Sequence, residues 1–422
     1  PSLRGLRRAG CDGRLHPLRG SCALLTLEEA WDRLLALAPE SYGYGLGLSH
    51  AAAGARNYLA KDVTAHRTQP AADLSAMDGY AISGEGPWQR IGEARAGRPF
   101  EGALQQGQGV RISTGAHMPK GADSVLIQEN AQVNGSVVGL AVGESRPERG
   151  RHVRVRGFDF EVGERVLEAG TRLTPARIAL ALAAGRTSVP VMMAPSIAVL
   201  ESGDELTGPG QPSALHQIPA SNGVMVASIL APYIGLVDRM ERVADDPSAL
   251  AEALKASEDC HILITIGGAS VGDHDLIQRG LRDWGAELDF WKVAIKPGKP
   301  LMVATKEHDW GRQVILGLPG NPVSSFVTAF LFALPLVRAA MGDPDPLPKP
   351  RMCTLTQDLP ANGMRREFLR AIVEGDEVHL AGSQDSSALV ALAAANGLID
   401  RPAGADPVRA GDRVPVYKLQ NG

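Results

Sequence analysis

The sequence predicts a multidomain chain of α/β and β parts, and three observations predict it. The chain has 422 residues, enough for about two to four domains. Near-continuous apolar runs alternate with helical patterns from Ser196 to Met341, the mark of a parallel sheet covered on both faces, here a doubly wound α/β domain. Short β-type runs separated by Gly, Pro and Asn flank that segment on both sides. Hydrophobic residues make up 44% and charged residues 21%, an ordinary globular composition with a sizeable core. A net charge of −4 and a pI of about 6.2 argue against a nucleic-acid partner, which a basic face would betray. They leave room for a local basic pocket that takes a small anion. No run is read as approaching the ~18–20 apolar residues of a membrane span. Cys11, Cys22, Cys260 and Cys353 lack C-x-x-C spacing and read as reduced thiols of a cytoplasmic protein.

In chain order, residues 1–22 read as a disordered basic tail, with Arg4, Arg7, Arg8, Arg14 and Arg19 against Asp12 alone. Thr26-Leu27-Glu28-Glu29 reads as a helix start, an N-cap followed by acids in the first turn. Trp31, Leu34, Leu35 and Ala38 follow at helical spacing. A second helix is expected over about 48–59. From Ala81 to Val142, runs such as Val110-Arg111-Ile112 and Ser124-Val125-Leu126-Ile127 indicate a small β-rich domain. A helix is expected over 175–184. Strands are then expected over 196–200, 261–266 and 314–318, with a further strand ending at Ile295. Helices are expected over 222–234, 247–257, 275–284 and 321–341. Four prolines in the stretch 342–350 make a stiff spacer. The remainder, to Leu419, reads as a small β-barrel or sandwich.

The four expected strand ends each carry glycine and polar residues. They are Glu201-Ser202-Gly203-Asp204-Glu205, Gly267-Gly268-Ala269-Ser270-Val271-Gly272-Asp273-His274-Asp275, Lys296-Pro297-Gly298-Lys299-Pro300 and Pro319-Gly320-Asn321-Pro322. Ligands of such sheets lie beyond the carboxyl ends of the strands. Glycine lets backbone N–H groups approach phosphate oxygens, and a helix start favours an anion. Lys292, Lys296 and Lys299 add positive charge. Asp204, Glu205, Asp273 and Asp275 are hard oxygen donors suited to Mg²⁺ held together with substrate phosphates. One such loop alone is a tight turn, and Asp204-Glu205 alone is a helix cap. Four together point to a large phosphorylated ligand.

Seven ordered segments carry a family resemblance. They are Ser75-Ala76-Met77-Asp78-Gly79-Tyr80-Ala81, Thr114 to Asp123, Arg156-Gly157-Phe158-Asp159, Ser202 to Leu206, Gly267 to Gly272, Lys296 to Pro300, and Gly317 to Ser324. In these the chain resembles the molybdopterin molybdenumtransferases, the family of MoeA and the E domain of gephyrin, from about Thr26 to Val416. The resemblance implies an elongated subunit. A discontinuous helical linker domain (23–70 and 150–185) carries a β-rich lid (71–149), followed by a molybdopterin-binding α/β domain (186–342) and a C-terminal β-barrel (351–420). It implies a cytoplasmic homodimer with a cleft shared between subunits, and insertion of molybdate into adenylylated molybdopterin with release of AMP and Mg²⁺ as the metal. Contacts with molybdopterin adenylyltransferase and with apo-molybdoenzymes are implied too, and no nucleic acid or membrane.

By the same resemblance, Asp275 and Glu205 are implied as catalytic acids and metal ligands. Asp78, Thr114 and Asp159 are implied as residues lent to the partner's cleft. Lys292 and Lys296 are implied in catalysis. Gly203, Asp204, Ser221, Asn222, Gly267, Gly268, Ser270, Gly272, Lys299, Pro319, Gly320, Asn321 and Pro322 are implied to hold substrate, with Arg370, Ser386 and Ser387 of the barrel near molybdate. The chain departs from the family's Asp-Ser-Asn-Arg at Ala220-Ser221-Asn222-Gly223, has Leu276 after Asp275, and has Glu201 where a small residue is usual. Two competing readings are a molybdopterin adenylyltransferase, which normally lacks the N-terminal and barrel parts, and a dimeric scaffold, which has no need of Glu205, Asp275 and Lys296 together.

Overall fold

The computed structural model of the chain describes residues 24–39, 43–48, 57–208, 210–267 and 276–419. The basic tail, residues 49–56 of the second expected helix, and the stretch 268–275 lie outside the described residues. The ends of that second helix are extended instead. Leu48 lies in a turn, and Tyr58 and Leu59 form β-bridges with Arg172 and Val191. The physical reason is burial on two faces. Tyr58 packs into one core and Leu59 into another, which only alternating side chains of an extended segment allow.

Helix α1 (Leu27–Ala36) opens with a capping box. The Thr26 hydroxyl accepts the Glu29 N–H, and the Glu29 carboxylate accepts the Thr26 N–H. Two-stranded pairs follow: β1 (Gly43–Gly47) with β12 (Ser188–Met192), β2 (Val63–Thr64) with β11 (Arg165–Leu167), and β3 (Leu74–Ser75) with β10 (Val153–Arg154). Between them β4 (Gly79–Ile82), β5 (Trp88–Ala94), β6 (Gln108–Ile112), β7 (Ser124–Ile127), β8 (Ala131–Asn134) and β9 (Val137–Leu140) make one sheet, ordered β7-β4-β6-β5-β9-β8. Helix α2 (Pro175–Ala183) starts at the expected Thr174-Pro175 signal.

The α/β part holds β13 (Ile197–Ser202), β14 (Leu206–Thr207), β15 (Ile218–Pro219), α3 (Asn222–Ile234), β16 (Arg239–Val243), α4 (Pro247–Lys255), β17 (Ile262–Ile266), α5 (Leu276–Asp283), β18 (Glu287–Trp291), β19 (Ile295–Lys296), β20 (Met302–His308) and β21 (Gly311–Leu318). The main sheet runs β16-β13-β17-β21-β20-β18. Its first four strands are parallel, and β20 runs antiparallel to both its neighbours, β21 and β18, so the expected all-parallel sheet is a mixed one. The expected strand end at Ile295 also moves. Lys292 adopts a left-handed φ of 82° and turns the chain out of the sheet after β18, so β19 pairs instead with a strand of the barrel.

A long helix follows as α6 (Pro322–Thr328), a π-helical turn at Ala329–Ala333, and α7 (Leu334–Ala340). Pro335 has no N–H for the carbonyl of Leu331, four residues back, and its ring crowds that oxygen. A π turn accommodates the mismatch. The freed Leu331 carbonyl accepts the buried indole N–H of Trp31 at 2.7 Å. This helix also corrects the membrane reading. The helix has 19 residues and an apolar window of mean hydropathy 1.7, long and apolar enough to cross a bilayer, yet 89% of that window is buried inside the protein. The apolar residues face a core on all sides, as a helix sandwiched between layers must.

After the proline-rich stretch come β22 (Arg351–Leu355), β23 (Arg366–Glu374), β24 (Glu377–Leu380), α8 (Leu389–Ala394), β25 (Gly397–Arg401) and β26 (Arg413–Lys418). The order β23-β24-β22-β26-β25 closes because β25 pairs back onto β23. The C-terminal part is therefore a five-stranded barrel, whose closure leaves no free edge in the ring. One core cluster joins α1, both faces of α6–α7 and the barrel residues Phe368, Leu398 and Tyr417.

Candidate functional site

Three strand ends meet through backbone alone. Gly267, at the end of β17, has φ +92°, and a Cβ there would lie 2.4 Å from the Ser202 carbonyl at the end of β13. The Gly267 N–H donates to Leu318 O at the end of β21. Gly320 approaches Gly267 so closely that its Cβ would lie 3.6 Å from the Gly267 Cα. The amide of Asn222 closes the ring by donating to Gly320 O at 2.7 Å. Gly203, Asn222, Gly267, Pro319, Gly320 and Asn321 thus belong to one seam, where the parallel strands point their carboxyl ends.

Acids flank the seam on the β13 side. Glu205 is exposed, and its carboxylate lies back over Gly203, where a Cβ would meet it at 2.6 Å. Asp204 accepts the Asp245 N–H at 3.0 Å, and Ser202 Oγ donates to Asp245 at 2.8 Å. The loop after β16 therefore holds the loop after β13. Glu201 is buried, 7% exposed, and its two oxygens accept the N–H groups of Asn222 (3.3 Å) and Gly223 (2.9 Å) at the start of α3. That start carries no side-chain cap from Ser221, so the neighbouring strand supplies the acceptor.

The lysine loop sits on the other side. Gly298 has φ +102° and abuts Thr328 of α6, whose Cγ2 a Cβ would meet at 2.6 Å. Lys296 and Lys299 are exposed. Lys296 pairs with Glu367 of the barrel at 2.8 Å, a charge that an incoming anion must share or displace. At the start of α6, the Val323 N–H already donates to the carbonyl of Ser386 in the barrel at 3.1 Å. Pro322 has no N–H to give. Ser387 is turned toward Asp385, its Oγ donating at 2.5 Å. Arg370 is 1% exposed. One Nη holds the carbonyls of Ser383 and Asp385, and Nε has no partner. Burial pushes its pKa down. The guanidinium thus fixes the segment that carries Ser386.

In the N-terminal third, Asp78 and Thr114 meet. The Thr114 N–H donates to Asp78 Oδ1 at 2.7 Å, and both side chains are exposed. Asp159 is also exposed, its N–H bonded to Gln69 O. The bonds of these three residues are to the N-terminal third and not to the seam of the same chain. Asp275, Gly268, Ser270 and Gly272 lie outside the described residues.

Three contributors escaped the sequence reading. Glu201 stood out there only as a departure, though a carboxylate ending a buried strand needs N–H donors from somewhere. Asp245 gave no signal, being one acid of an Asp-Asp pair whose second member caps α4. Glu367 is visible only once β19 is placed beside β23. Among the described residues, no three His, Cys, Asp or Glu side chains group as a metal site. Glu205, open and free of a bonded cation, is the described carboxylate best disposed to a metal held mainly by substrate oxygens.

Residues 25–185 match the family model described as MoeA N-terminal region (domain I and II). Residues 198–339 match a probable molybdopterin binding domain, and 353–419 the MoeA C-terminal region (domain IV). The chain is 35% identical over 382 residues to molybdopterin molybdenumtransferase 2 of Mycobacterium tuberculosis, covering 86% of this chain and 92% of that protein. It is 31% identical over 406 residues to the molybdopterin molybdenumtransferase of Haemophilus influenzae, covering 93% and 98%. Its fold is similar to a crystal structure of the molybdopterin biosynthesis moeA protein from Pyrococcus horikoshii, with a TM-score of 0.78 at 24% identity over 94% of this chain and all of that one. With relatives matched over nearly their whole length, the chain belongs to the molybdopterin molybdenumtransferase family.

Proposed function

We propose that this chain inserts molybdenum into molybdopterin, taking adenylylated molybdopterin and molybdate and releasing AMP. The observation that carries the reading is the seam in which Ser202-Gly203, Gly267 and Gly320-Asn321 meet without intervening side chains. Such a seam lets a phosphorylated ligand lie against backbone N–H groups. On its β13 side stand acids, and the lysine loop packs on the last turn of α6, the helix that starts at the seam. Lys296 and Lys299 receive the oxyanion, with Lys292 adding charge. Glu205 and Asp275 would hold Mg²⁺, which supplies neutralisation of pyrophosphate charge when bound. Asp275 orients the water that cleaves the pyrophosphate P–O bond, so that AMP departs and the pterin keeps its own phosphate. Gly203, Asp204, Ser221, Asn222, Pro319 and Pro322 line the crevice, and we assign substrate binding to Gly268, Ser270 and Gly272 as well. Arg370 acts through Ser386 and Ser387 by fixing their segment.

We assign 23–70 with 150–185 to a linker domain, 71–149 to a lid, 186–342 to the binding domain and 351–420 to the barrel. Asp78, Thr114 and Asp159 serve the cleft of a second copy in a homodimer, a reading supported by their exposed side chains and by described bonds that run only to the N-terminal part of this chain. The setting we propose is cytoplasmic. The test is to incubate the purified chain with adenylylated molybdopterin, molybdate and Mg²⁺, following AMP release together with activation of an apo-molybdoenzyme. Loss of both on changing Asp275 to Asn is the expected result. Undiminished AMP release in that variant removes Asp275 from the mechanism.

A further inference from the structure

The start of α3 already holds an anion. Glu201 ends β13, and its side chain is buried beneath the seam with both oxygens on helix N–H groups, Asn222 at 3.3 Å and Gly223 at 2.9 Å. No ion pair joins it to a cation among the described residues. Its register neighbour on β16 is Arg242, and that guanidinium bonds the Leu206 carbonyl instead. The helix start and two directed N–H donors are therefore what stabilise the charge. Glycine at 223 gives the carboxylate room. A Cβ there would lie 3.0 Å from Glu201 Oε2, so the carboxylate would have to give by a few tenths of an ångström. Glu201, Asn222 and Gly223 thus form one unit, and the Asn222 amide extends it to Gly320 across the seam.

We propose that Glu201 is a positioning residue that closes the α3 helix start to substrate anions and so fixes which way the substrate lies. A helix start that faces a strand-end crevice ordinarily attracts phosphate. With a buried carboxylate in place, a second anion there meets like charge in a poorly screened setting. Asp204, Glu205 and Asp245 stand on the same flank, whereas Lys296 and Lys299 lie on the α6 side, two strands away in the order β13-β17-β21. The crevice is polarised. The oxyanion, and any phosphate not held through a metal at Glu205, goes to the lysine side and away from the α3 start, and a neutral ring, which carries N–H donors, goes to the acidic side. This orientation rests on the function proposed above, whereas the closure of the helix start does not.

Two measurements separate them. In the first, the melting temperature of the full chain is followed against sulfate, a tetrahedral dianion, for wild type and for Glu201→Ser. The vacated start should take sulfate, and the melting temperature should rise more steeply with sulfate in the variant. Glu201→Asp keeps the charge but falls one methylene short of its donors, and should lie between the two. Equal slopes for wild type and either variant overturn the closure. In the second, AMP release is measured against adenylylated molybdopterin. A substrate free to lodge its phosphate at α3 binds unproductively, so kcat and KM should fall together by about 3- to 10-fold with kcat/KM nearly kept. A fall in kcat/KM at unchanged KM, as a merely structural role produces, overturns the positioning role. If wild type releases no AMP, the proposed function fails and the sulfate comparison still decides the closure.

Discussion

At the scale of single residues, the seam depends on where a methyl group has no room. Gly267 combines a left-handed φ of +92° with a carbonyl 2.4 Å from its would-be Cβ. An alanine there is strained twice, once in the backbone and once against Ser202. Gly267→Ala should cost at least about 2 kcal/mol, read as a lowered urea midpoint at unchanged slope. Gly320→Ala is the control. Its nearest neighbour would be at 3.6 Å, an ordinary contact, and its φ is not left-handed. It should cost less than about 1 kcal/mol, and similar costs for the two would mean that the approach of Gly267 to Ser202 does not constrain the seam. The sequence showed glycines at strand ends but not which of them was crowded, because crowding depends on the strand next door. Asn222 and Gly320 were both singled out from sequence. Their contact, across 98 residues, was not legible, because no local pattern encodes a side chain bonding to a distant carbonyl.

At the scale of elements, the pairing of α1 with the long apolar helix makes a sharper prediction than either helix alone. Leu331 O loses its helical donor to Pro335 and gains Trp31 Nε1. Trp31→Phe keeps most of the packing and leaves a buried carbonyl without a donor, at a cost of about 1–3 kcal/mol. Pro335→Ala restores an N–H to the helix, so the cost of Trp31→Phe should shrink in that background. A double-mutant cycle measures the coupling, and zero coupling removes Trp31 as the partner of the freed carbonyl. A second element-scale device lies at the start of β17. His261 Nδ1 accepts the Ser196 N–H at 3.2 Å and lies 2.6 Å from Ser196 Oγ, so the neutral ring carries its proton on Nε2. Burial, opposed by Asp238, holds the pKa of His261 below its usual 6.5. As pH falls the unfolded chain takes up the proton first. His261 therefore lowers stability progressively from about pH 6.5 down to its folded pKa, and has no such effect above. His261→Gln should make the unfolding midpoint less sensitive to pH across that window. An unchanged slope would show that other groups set it. Helices α1 to α7 and the strands β13, β17 and β21 were legible because apolar periodicity marks them, whereas the parallel edge strand β16, mostly polar and exposed, was not. The antiparallel pair β18 and β20 was not, because Glu287-Leu288-Asp289-Phe290 alternates too briefly, and the two-residue β19 finds its partner about 70 residues later.

At the scale of the whole molecule, core continuity divides the chain differently from sequence order. The largest cluster joins Leu27 to Leu34 of α1, both faces of the long helix, the main sheet, and Phe368, Leu398 and Tyr417 of the barrel. Polar ties reinforce the same junction. Arg366 bonds Asp400 bidentately at 2.7 and 2.6 Å and also reaches Glu28 of α1, while Lys296 pairs with Glu367. The clusters inside the β4–β9 sheet, by contrast, draw on residues 80–140 and Val153 alone. A residue deep in each core separates the two blocks. Phe368 and Trp88 are both fully buried, and truncating either to alanine should cost about 3–5 kcal/mol where it sits. Phe368→Ala should lower the calorimetric transition that contains α1, the main sheet and the barrel, leaving the other transition in place. Trp88→Ala should do the reverse. Cooperativity follows shared apolar contacts, and these two residues share none. If Phe368→Ala instead melts the barrel alone, as a separate low-temperature step, then the packing of Phe368 on Tyr417 and of Tyr417 on Phe330 does not couple the barrel to the α/β part. The placement of Ser386 at the start of α6 would then rest on polar ties alone: the hydrogen bond from Val323, the β19–β23 pairing, and the Lys296–Glu367 and Arg366–Glu28 pairs.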